Sequence, residues 1–238
     1  MYRLAATPFL EANMAVAIVG YRTYADGNIQ DQIDDLEFAA KAIATRYPEL
    51  SEQPANVDDE DWVGSTMLGH SSGGHIVLMN LVQRIERWTQ KPQNEETIYF
   101  DNLISISGVY SITEHYDFEA SRGVTDISPM KPACGYNRES FNAYSPATRL
   151  AELGSYPIIQ SDLVPDILLI HGVDDEITPF TSADRARKLL EGTGFDDKLD
   201  VFFSKRDHTA DLFQLIFGGQ TGDLVMDWLG VRQDGKSA

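Results

Sequence analysis

Five short, nearly continuous apolar runs are spaced along the chain, and each has the length of a buried β-strand. Their richness in Val, Ile and Leu, with little alternation, is typical of parallel strands covered by helices on both faces. The pattern therefore predicts a parallel sheet. The five runs are residues 15–19, 66–68, 103–107, 167–170 and 199–203.

Helical periodicity fills the intervals between these runs. One amphipathic face is predicted from apolar residues at steps of three and four, namely Ile33, Leu36, Ala40, Ile43 and Tyr47. Apolar residues from Ile76 to Trp88 predict a second helix. A third helix is expected over 182–191, with Thr181 or Ser182 as N-cap and Gly192 as its stop, and a last one near 223–229. Strands alternating with helices predict an α/β fold built on a parallel sheet.

Two segments interrupt this rhythm. Residues 48–62 are polar and acidic, which predicts a solvated loop. Residues 109–162 are longer than a simple connection and predict an insertion, or lid-like segment, within a single domain over residues 1–238.

Bulk composition excludes several classes of partner. The 238 residues include 42% hydrophobic residues, enough for a substantial core, and carry a formal net charge of −18. Such a chain is repelled by phosphate backbones and anionic membranes, so no nucleic-acid partner is expected. No apolar run approaches the ~18 residues that span a bilayer. The single cysteine, Cys134, lies in a predicted loop over 131–135 and excludes an internal disulfide; this fits a cytoplasmic protein.

The sequence Gly69-x-Ser71-x-Gly73 matches a nucleophile elbow, in which a strained strand-to-helix turn projects a serine hydroxyl out of the fold. Glycine suits both flanking positions because a side chain there would meet the crossing backbone. The helix that follows would aim its positive end and the N–H of Ser72 at the reacting centre, which makes Ser72 the predicted oxyanion donor. A Gly/Ser loop is the alternative, but the flanking strand-like and helix-like runs favour the elbow.

A serine nucleophile needs a base and an acid, which this architecture supplies downstream in the order acid, then histidine. Just past the run at 167–170 stand three carboxylates, Asp174, Asp175 and Glu176, at the sheet edge where active sites of open parallel sheets form. His208 follows the run at 199–203 and is the only histidine after residue 171, so it is the candidate base.

Taken together, these motifs resemble the α/β-hydrolase superfamily, in the esterase/lipase branch that includes kynurenine formamidases and isoprenylcysteine methylesterases. The resemblance covers about residues 1–230. It implies that Asp175 is the acid, and that the chain cleaves a small-molecule carboxylic ester, or an aryl formamide, through Ser71, His208 and Asp175 without a cofactor. The matching pieces are Val19-Gly20-Tyr21-Arg22, Gly69-His70-Ser71-Ser72-Gly73-Gly74-His75, Ile106-Ser107-Gly108-Val109-Tyr110, Ser145-Pro146, His171-Gly172-x-x-Asp175-x-x-x-Pro179 and His208.

One part of the family pattern is missing. A second oxyanion donor normally comes from a His-Gly-Gly type loop after the third strand, and this sequence contains none. The resemblance implies that the first three strands are absent, so the fold is expected to be N-terminally incomplete, with a gap between the run at 15–19 and the run at 66–68. A catalytically impaired fragment, or a non-catalytic binding module of the same fold, is therefore the alternative. A peptidase of the prolyl-oligopeptidase type would need a large extra domain.

The remaining histidines are predicted to be structural. His70 is expected to shape the elbow, His75 to pack in the helix and His171 to support the acid loop. His115 is expected to lie at the surface of the insertion, with a contact to substrate as the alternative. No metal is predicted, because the chain has neither a His-Glu-x-x-His nor a Cys-x-x-Cys pair.

Overall fold

A computed structural model describes residues 2–48, 64–90, 98–154 and 164–231. Within these ranges, four parallel strands form one sheet in the order β1–β2–β3–β4. Four of the five predicted strands are thereby confirmed, each within two residues at either end. The strands are β1 (Thr66–His70), β2 (Asn102–Ile106), β3 (Asp166–Gly172) and β4 (Leu199–Ser204).

Helices occupy most of the connections between the strands. α2 begins with a reciprocal cap between Asn28 and Asp31, a sequence signal of a helix start. The helices are α1 (Thr7–Glu11), α2 (Ile29–Arg46), α3 (Ser72–Gln90), α4 (Ile112–Ser121), α5 (Met130–Cys134), α6 (Arg138–Ala143), α7 (Pro146–Gly154), α8 (Phe180–Leu190), α9 (Ala210–Phe217) and α10 (Gln220–Trp228), with 3-10 turns at Tyr2–Ala6 and Asp196–Lys198.

Two apolar layers cover the two faces of the sheet. Successive strand residues point to opposite faces, so Leu103 and Ile104 of β2 belong to different layers. The first layer joins residues of α2, α3, α7 and α8, and the second joins Phe9 of α1 with residues of α9 and α10. The chain is therefore an α/β sandwich in which a parallel sheet is buried on both sides, as its unbroken apolar runs predict.

The prediction of a strand over residues 15–19 is wrong. Residues 13–23 contain no strand, and Val16 and Ile18 are 38% and 55% exposed. In the described sheet β1 pairs with β2 on one side and has no strand on the other. Residues 13–23 pair with no strand of this sheet, so strand pairing does not satisfy their backbone N–H and C=O groups and the apolar run does not join the sheet.

Other predicted boundaries need smaller corrections. Helix α8 begins two residues earlier than expected, at an N-cap Pro179 that makes no side-chain cap, so neither Thr181 nor Ser182 is the cap. Gly192 follows the helix with φ +76°, as expected of a stop. Cys134 lies in helix α5 rather than in a loop, and it is buried.

The two irregular segments are only partly described. The predicted loop at 48–62 falls, apart from Pro48, outside the described residues. The segment at 109–162 contains helices α4 to α7 as far as Gly154, and the remainder lies outside the described residues.

Candidate active site

Ser71 lies in a sharp turn between the end of β1 and the start of α3. Its φ of +57° is in the left-handed region that non-glycine residues seldom adopt. Two backbone hydrogen bonds hold the turn: Ser71 N–H donates to the Ile106 carbonyl at 2.9 Å, and His75 N–H donates to the Ser71 carbonyl at 3.1 Å. The predicted strand–turn–helix context of the elbow is therefore present, with the strain at the serine itself.

Crowding explains two of the glycines around this turn. A Cβ at Gly69 would lie 2.2 Å from the carbonyl oxygen of Gly73, and a Cβ at Gly74 would lie 2.5 Å from Ser105 Oγ. At Gly73 a Cβ would meet only the Tyr21 hydroxyl, at an ordinary 3.8 Å. The predicted clash between a side chain and the crossing backbone is thus confirmed at Gly69, before the serine, but is wrong at Gly73. It is Gly74 that lets α3 start close to the sheet.

His208 lies in the loop that follows β4, 137 positions from Ser71, and reaches it across the carboxyl ends of the strands. Its Nε2 is 2.9 Å from Ser71 Oγ, and its Nδ1 is 2.8 Å from Asp175 Oδ2. An ionised carboxylate can only accept, so Nδ1 carries a proton and Nε2 of the neutral ring accepts from the serine hydroxyl. The structure thus brings three of the sequence-predicted residues into one hydrogen-bonded chain.

Asp175 is the buried member of the three neighbouring carboxylates, whereas Asp174 and Glu176 are exposed. Its Oδ1 accepts from the backbone N–H groups of Ile177 and Thr178, each at 2.8 Å, and Oδ2 also accepts from Thr178 Oγ1 at 2.8 Å.

These contacts decide the charge of the Asp175 carboxyl group. Burial by itself raises the pKa, but hydrogen bonds from His171, His208 and Thr178 outweigh it and hold the pKa of Asp175 well below its usual range. The carboxylate next to His208 is therefore ionised across the physiological pH range.

A second buried carboxylate holds the loop that carries His208. Asp211 accepts from Ser204 Oγ at 2.5 Å, Thr221 Oγ1 at 2.6 Å and Arg206 Nη1 at 3.1 Å. These bonds join the end of β4, the loop and the start of α10. No sequence pattern predicts this network, since a lone Asp in an apolar helical run has no motif of its own.

The candidate oxyanion donor, Ser72, is the first residue of α3. The first N–H groups of an α-helix have no partner within the helix, and the positive end of the helix dipole lies there. The Ser72 side chain is exposed beside the turn, and Tyr21 OH lies 3.0 Å from Ser72 Oγ. The contact brings the segment before α2 to the oxyanion side of the turn. No sequence pattern predicts this contact, although Tyr21 belongs to the motif Val19-Gly20-Tyr21-Arg22.

The remaining histidines occupy four distinct environments. His75 packs inside α3, as predicted, with Nε2 2.7 Å from the Tyr144 carbonyl, and burial lowers its pKa to about 4. His171 Nε2 lies 3.0 Å from the Thr178 carbonyl, behind the acid loop. His115 is buried beside Glu119, so its predicted surface position is wrong. His70 contacts the carbonyl oxygen of His208.

Two further observations bear on cofactors and membranes. Within residues 2–48, 64–90, 98–154 and 164–231, no three His, Cys, Asp or Glu side chains are grouped so that they could hold a metal ion. None of the helices in the same ranges is both long and apolar enough to cross a bilayer.

Comparison with known proteins gives the same class of fold. No protein-family model matches the chain. The structure is similar to a truncated carbohydrate esterase from gut microbiota (TM-score 0.64, 16% identity, covering 95% of this chain and 76% of that one). It is also similar to carboxyl esterase 2 of the fungus Tuber melanosporum (TM-score 0.62, 14% identity, 97% and 70%). The chain therefore has the α/β-hydrolase fold.

Among curated proteins, the chain is similar to a probable isoprenylcysteine alpha-carbonyl methylesterase of Oryza sativa subsp. japonica. The two are 24% identical over 222 residues, which cover 93% of this chain and 50% of that protein. The chain thus spans about half the length of this curated relative.

Proposed function

We propose that the protein is a serine hydrolase that cleaves a carboxylic ester through an acyl-enzyme. One observation carries this proposal: the His208 imidazole lies between Ser71 Oγ, at 2.9 Å, and Asp175 Oδ2, at 2.8 Å. A hydroxyl, an imidazole and a buried carboxylate in that order are the parts needed to activate a serine as a nucleophile.

In the proposed reaction, Ser71 Oγ attacks the carbonyl carbon while His208 Nε2 takes the serine proton. Asp175 fixes the His208 tautomer and stabilises the imidazolium that forms. The Ser72 N–H donates to the developing oxyanion. His208 then gives its proton to the leaving alkoxide, and the acyl group remains on Ser71. Water, deprotonated by His208, releases the acid and restores the hydroxyl.

The substrate class follows from the relatives rather than from the site. The curated relative is named a methylesterase, and both structural neighbours are named esterases. We therefore propose a small-molecule carboxylic ester, with an aryl formamide as the other acyl substrate that the same chemistry would cleave.

The test combines turnover with covalent labelling. Purified protein should hydrolyse p-nitrophenyl acetate and should be labelled by a fluorophosphonate probe at Ser71. Ser71→Ala should abolish both. The matched control is Ser72→Ala, which keeps the neighbouring backbone N–H and should still be labelled at Ser71. Labelling that persists in Ser71→Ala would refute the assignment.

A second candidate function is supported by the exposed apolar run at 15–19 and by the unpaired edge of β1 within the described sheet. If the oxyanion side is incomplete, the chain would be an impaired hydrolase or a binding module of the same fold. Removal of one oxyanion donor typically costs about 10²–10³ in rate. Probe labelling without detectable turnover of p-nitrophenyl acetate would favour this alternative.

A further inference from the structure

We propose that His70 is a positioning residue for His208, acting through a hydrogen bond from its Nε2–H to the backbone carbonyl oxygen of His208. The two atoms are 2.8 Å apart, and the rings lie 4.9 Å apart between centroids. This role depends on the proposed function, because it takes His208 as the base that activates Ser71.

The direction of the bond is fixed by chemistry. A backbone carbonyl oxygen only accepts, so Nε2 of His70 must carry a proton. In the neutral ring Nδ1 is then an acceptor, and the Tyr2 hydroxyl lies 3.3 Å from it. Both nitrogens therefore have a partner: Tyr2 donates to His70, and His70 donates to His208.

The surroundings keep His70 neutral. The residue is 7% exposed, and burial lowers its pKa below the ordinary value, opposed by the bond to the His208 carbonyl. The charged or titratable groups that face it are the Tyr2 hydroxyl, His208, which disfavours a second positive charge, and the carboxylates Asp175 and Asp211, which favour one. At neutral pH His70 is thus a fixed one-proton donor.

Position along the chain explains why this contact matters. His70 is the last residue of β1 and the immediate neighbour of Ser71, whereas His208 belongs to the loop after β4. The bond connects the residue next to the serine with the backbone of the base, across 138 positions of sequence. A fixed carbonyl fixes the Cα of His208, from which its ring reaches both Ser71 and Asp175.

The chain offers a matched control in His75. It too is a buried histidine with Nε2 within 2.7 Å of a backbone carbonyl, that of Tyr144 in the loop between α6 and α7. Loss of either histidine removes the same type of bond and leaves a similar volume. Only the His70 bond reaches the loop that carries His208, so only its loss should affect the position of the base.

The experiment compares His70→Leu, His70→Gln and His75→Leu, with the full chain and p-nitrophenyl acetate. A misplacement of about 1 Å in a catalytic group costs about 10²-fold. We expect His70→Leu to lower kcat by 10- to 100-fold, with KM changed by less than about threefold. His70→Gln should recover most of kcat, because its amide nitrogen stands the same number of bonds from Cβ as Nε2. His75→Leu should lower Tm while kcat stays within about twofold.

Three results would overturn the role of His70. The first is a kcat of His70→Leu equal to wild type. The second is an equal loss of kcat in His70→Leu and His75→Leu, which would indicate general destabilisation. The third is His70→Gln behaving like His70→Leu although both fold.

A readout independent of turnover separates this inference from the proposed function. If the wild type is neither active nor labelled, the hydrolase proposal fails and the positioning role fails with it. The contact itself is then tested by side-chain ¹⁵N NMR of the histidines. A neutral His70 ring protonated on Nε2 supports the geometry, and a ring protonated on Nδ1 contradicts it.

Discussion

The two sides of the site are held in different ways. On the proton-transfer side, Asp175 and Asp211 are buried, and each accepts several hydrogen bonds. The donors to Asp175 include Thr178 of its own loop. The donors to Asp211 lie at the end of β4, in the loop that carries His208 and at the start of α10. On the side of Ser72, the segment at 13–23 lies outside the sheet with Ile18 exposed, and it reaches the turn through the Tyr21 hydroxyl at the surface.

Because of this difference, substitutions on the two sides of the site should have different costs. A buried carboxylate that loses a partner leaves polar groups that water cannot reach, so changes there are costly. Contacts at the surface exchange with water at little net cost. We therefore expect function and stability to depend steeply on the loops after β3 and β4, and weakly on the segment at 13–23.

The largest effect is expected from Asp175→Asn. The substitution preserves shape but removes the charge that fixes the tautomer of His208, and such a change lowers kcat by about 10⁴-fold in a serine triad. Asp174→Asn and Glu176→Gln are the matched controls, because both side chains are exposed. Steady-state hydrolysis of p-nitrophenyl acetate measures all three. An active Asp175→Asn beside an inactive Asp174→Asn would reassign the acid.

A smaller effect, on stability, is expected from Asp211→Ala. It would remove the hydrogen-bond acceptor of the buried Ser204 and Thr221 hydroxyls and would leave Arg206 without this partner. Breaking a buried charged network costs about 3–5 kcal/mol of unfolding free energy. Urea denaturation measures the loss, with Asp227→Ala, an exposed carboxylate on α10, as the control. Equal stability of the two variants would show that the network does not hold the loop.

The sequence predicted the part of the site that local chemistry determines. The elbow at Ser71, the three carboxylates past β3 and the histidine past β4 stand at strand ends, and the run lengths locate those ends. The choice of Asp175 among the three carboxylates comes from the family resemblance. Asp211 and the contact of His70 with His208 could not be predicted in this way. They join residues whose proximity depends on how the loops pack, and patterns of residue types along the chain do not predict loop packing. The wrong strand prediction at 15–19 has a related cause, since apolar composition alone does not determine whether a run pairs with a sheet.

A smaller effect than that of Asp211→Ala is expected from the burial of His75, which should make the unfolding free energy depend on pH. The folded pKa of His75 is lowered to about 4 by burial, against 6.5 when the ring is exposed. Between these values the unfolded chain binds more protons at this group than the folded one. The contribution of His75 to the unfolding free energy is therefore fully present above pH 6.5 and is lost as the pH falls towards 4.

At pH 5 this group contributes a slope of about 1 kcal/mol per pH unit. Urea denaturation of wild type and His75→Gln at pH 7, 6 and 5 measures the difference. Because His70 shifts in the same direction, the slope in His75→Gln should be reduced rather than abolished. Identical slopes in the two proteins would mean that His75 is accessible to protons while the chain stays folded.

The smallest effect is expected from Ile18→Ala, in the exposed run at 15–19. Ile18 is 55% exposed, so its truncation should change the unfolding free energy by no more than about 0.5 kcal/mol. Ile104→Ala is the matched control: the same change at this fully buried residue of β2 should cost about 2–5 kcal/mol. A loss above about 1.5 kcal/mol for Ile18→Ala would show that this run is covered in solution and packs as a strand does. The two sides of the site would then be held alike, and the weak dependence expected for the segment at 13–23 would no longer follow.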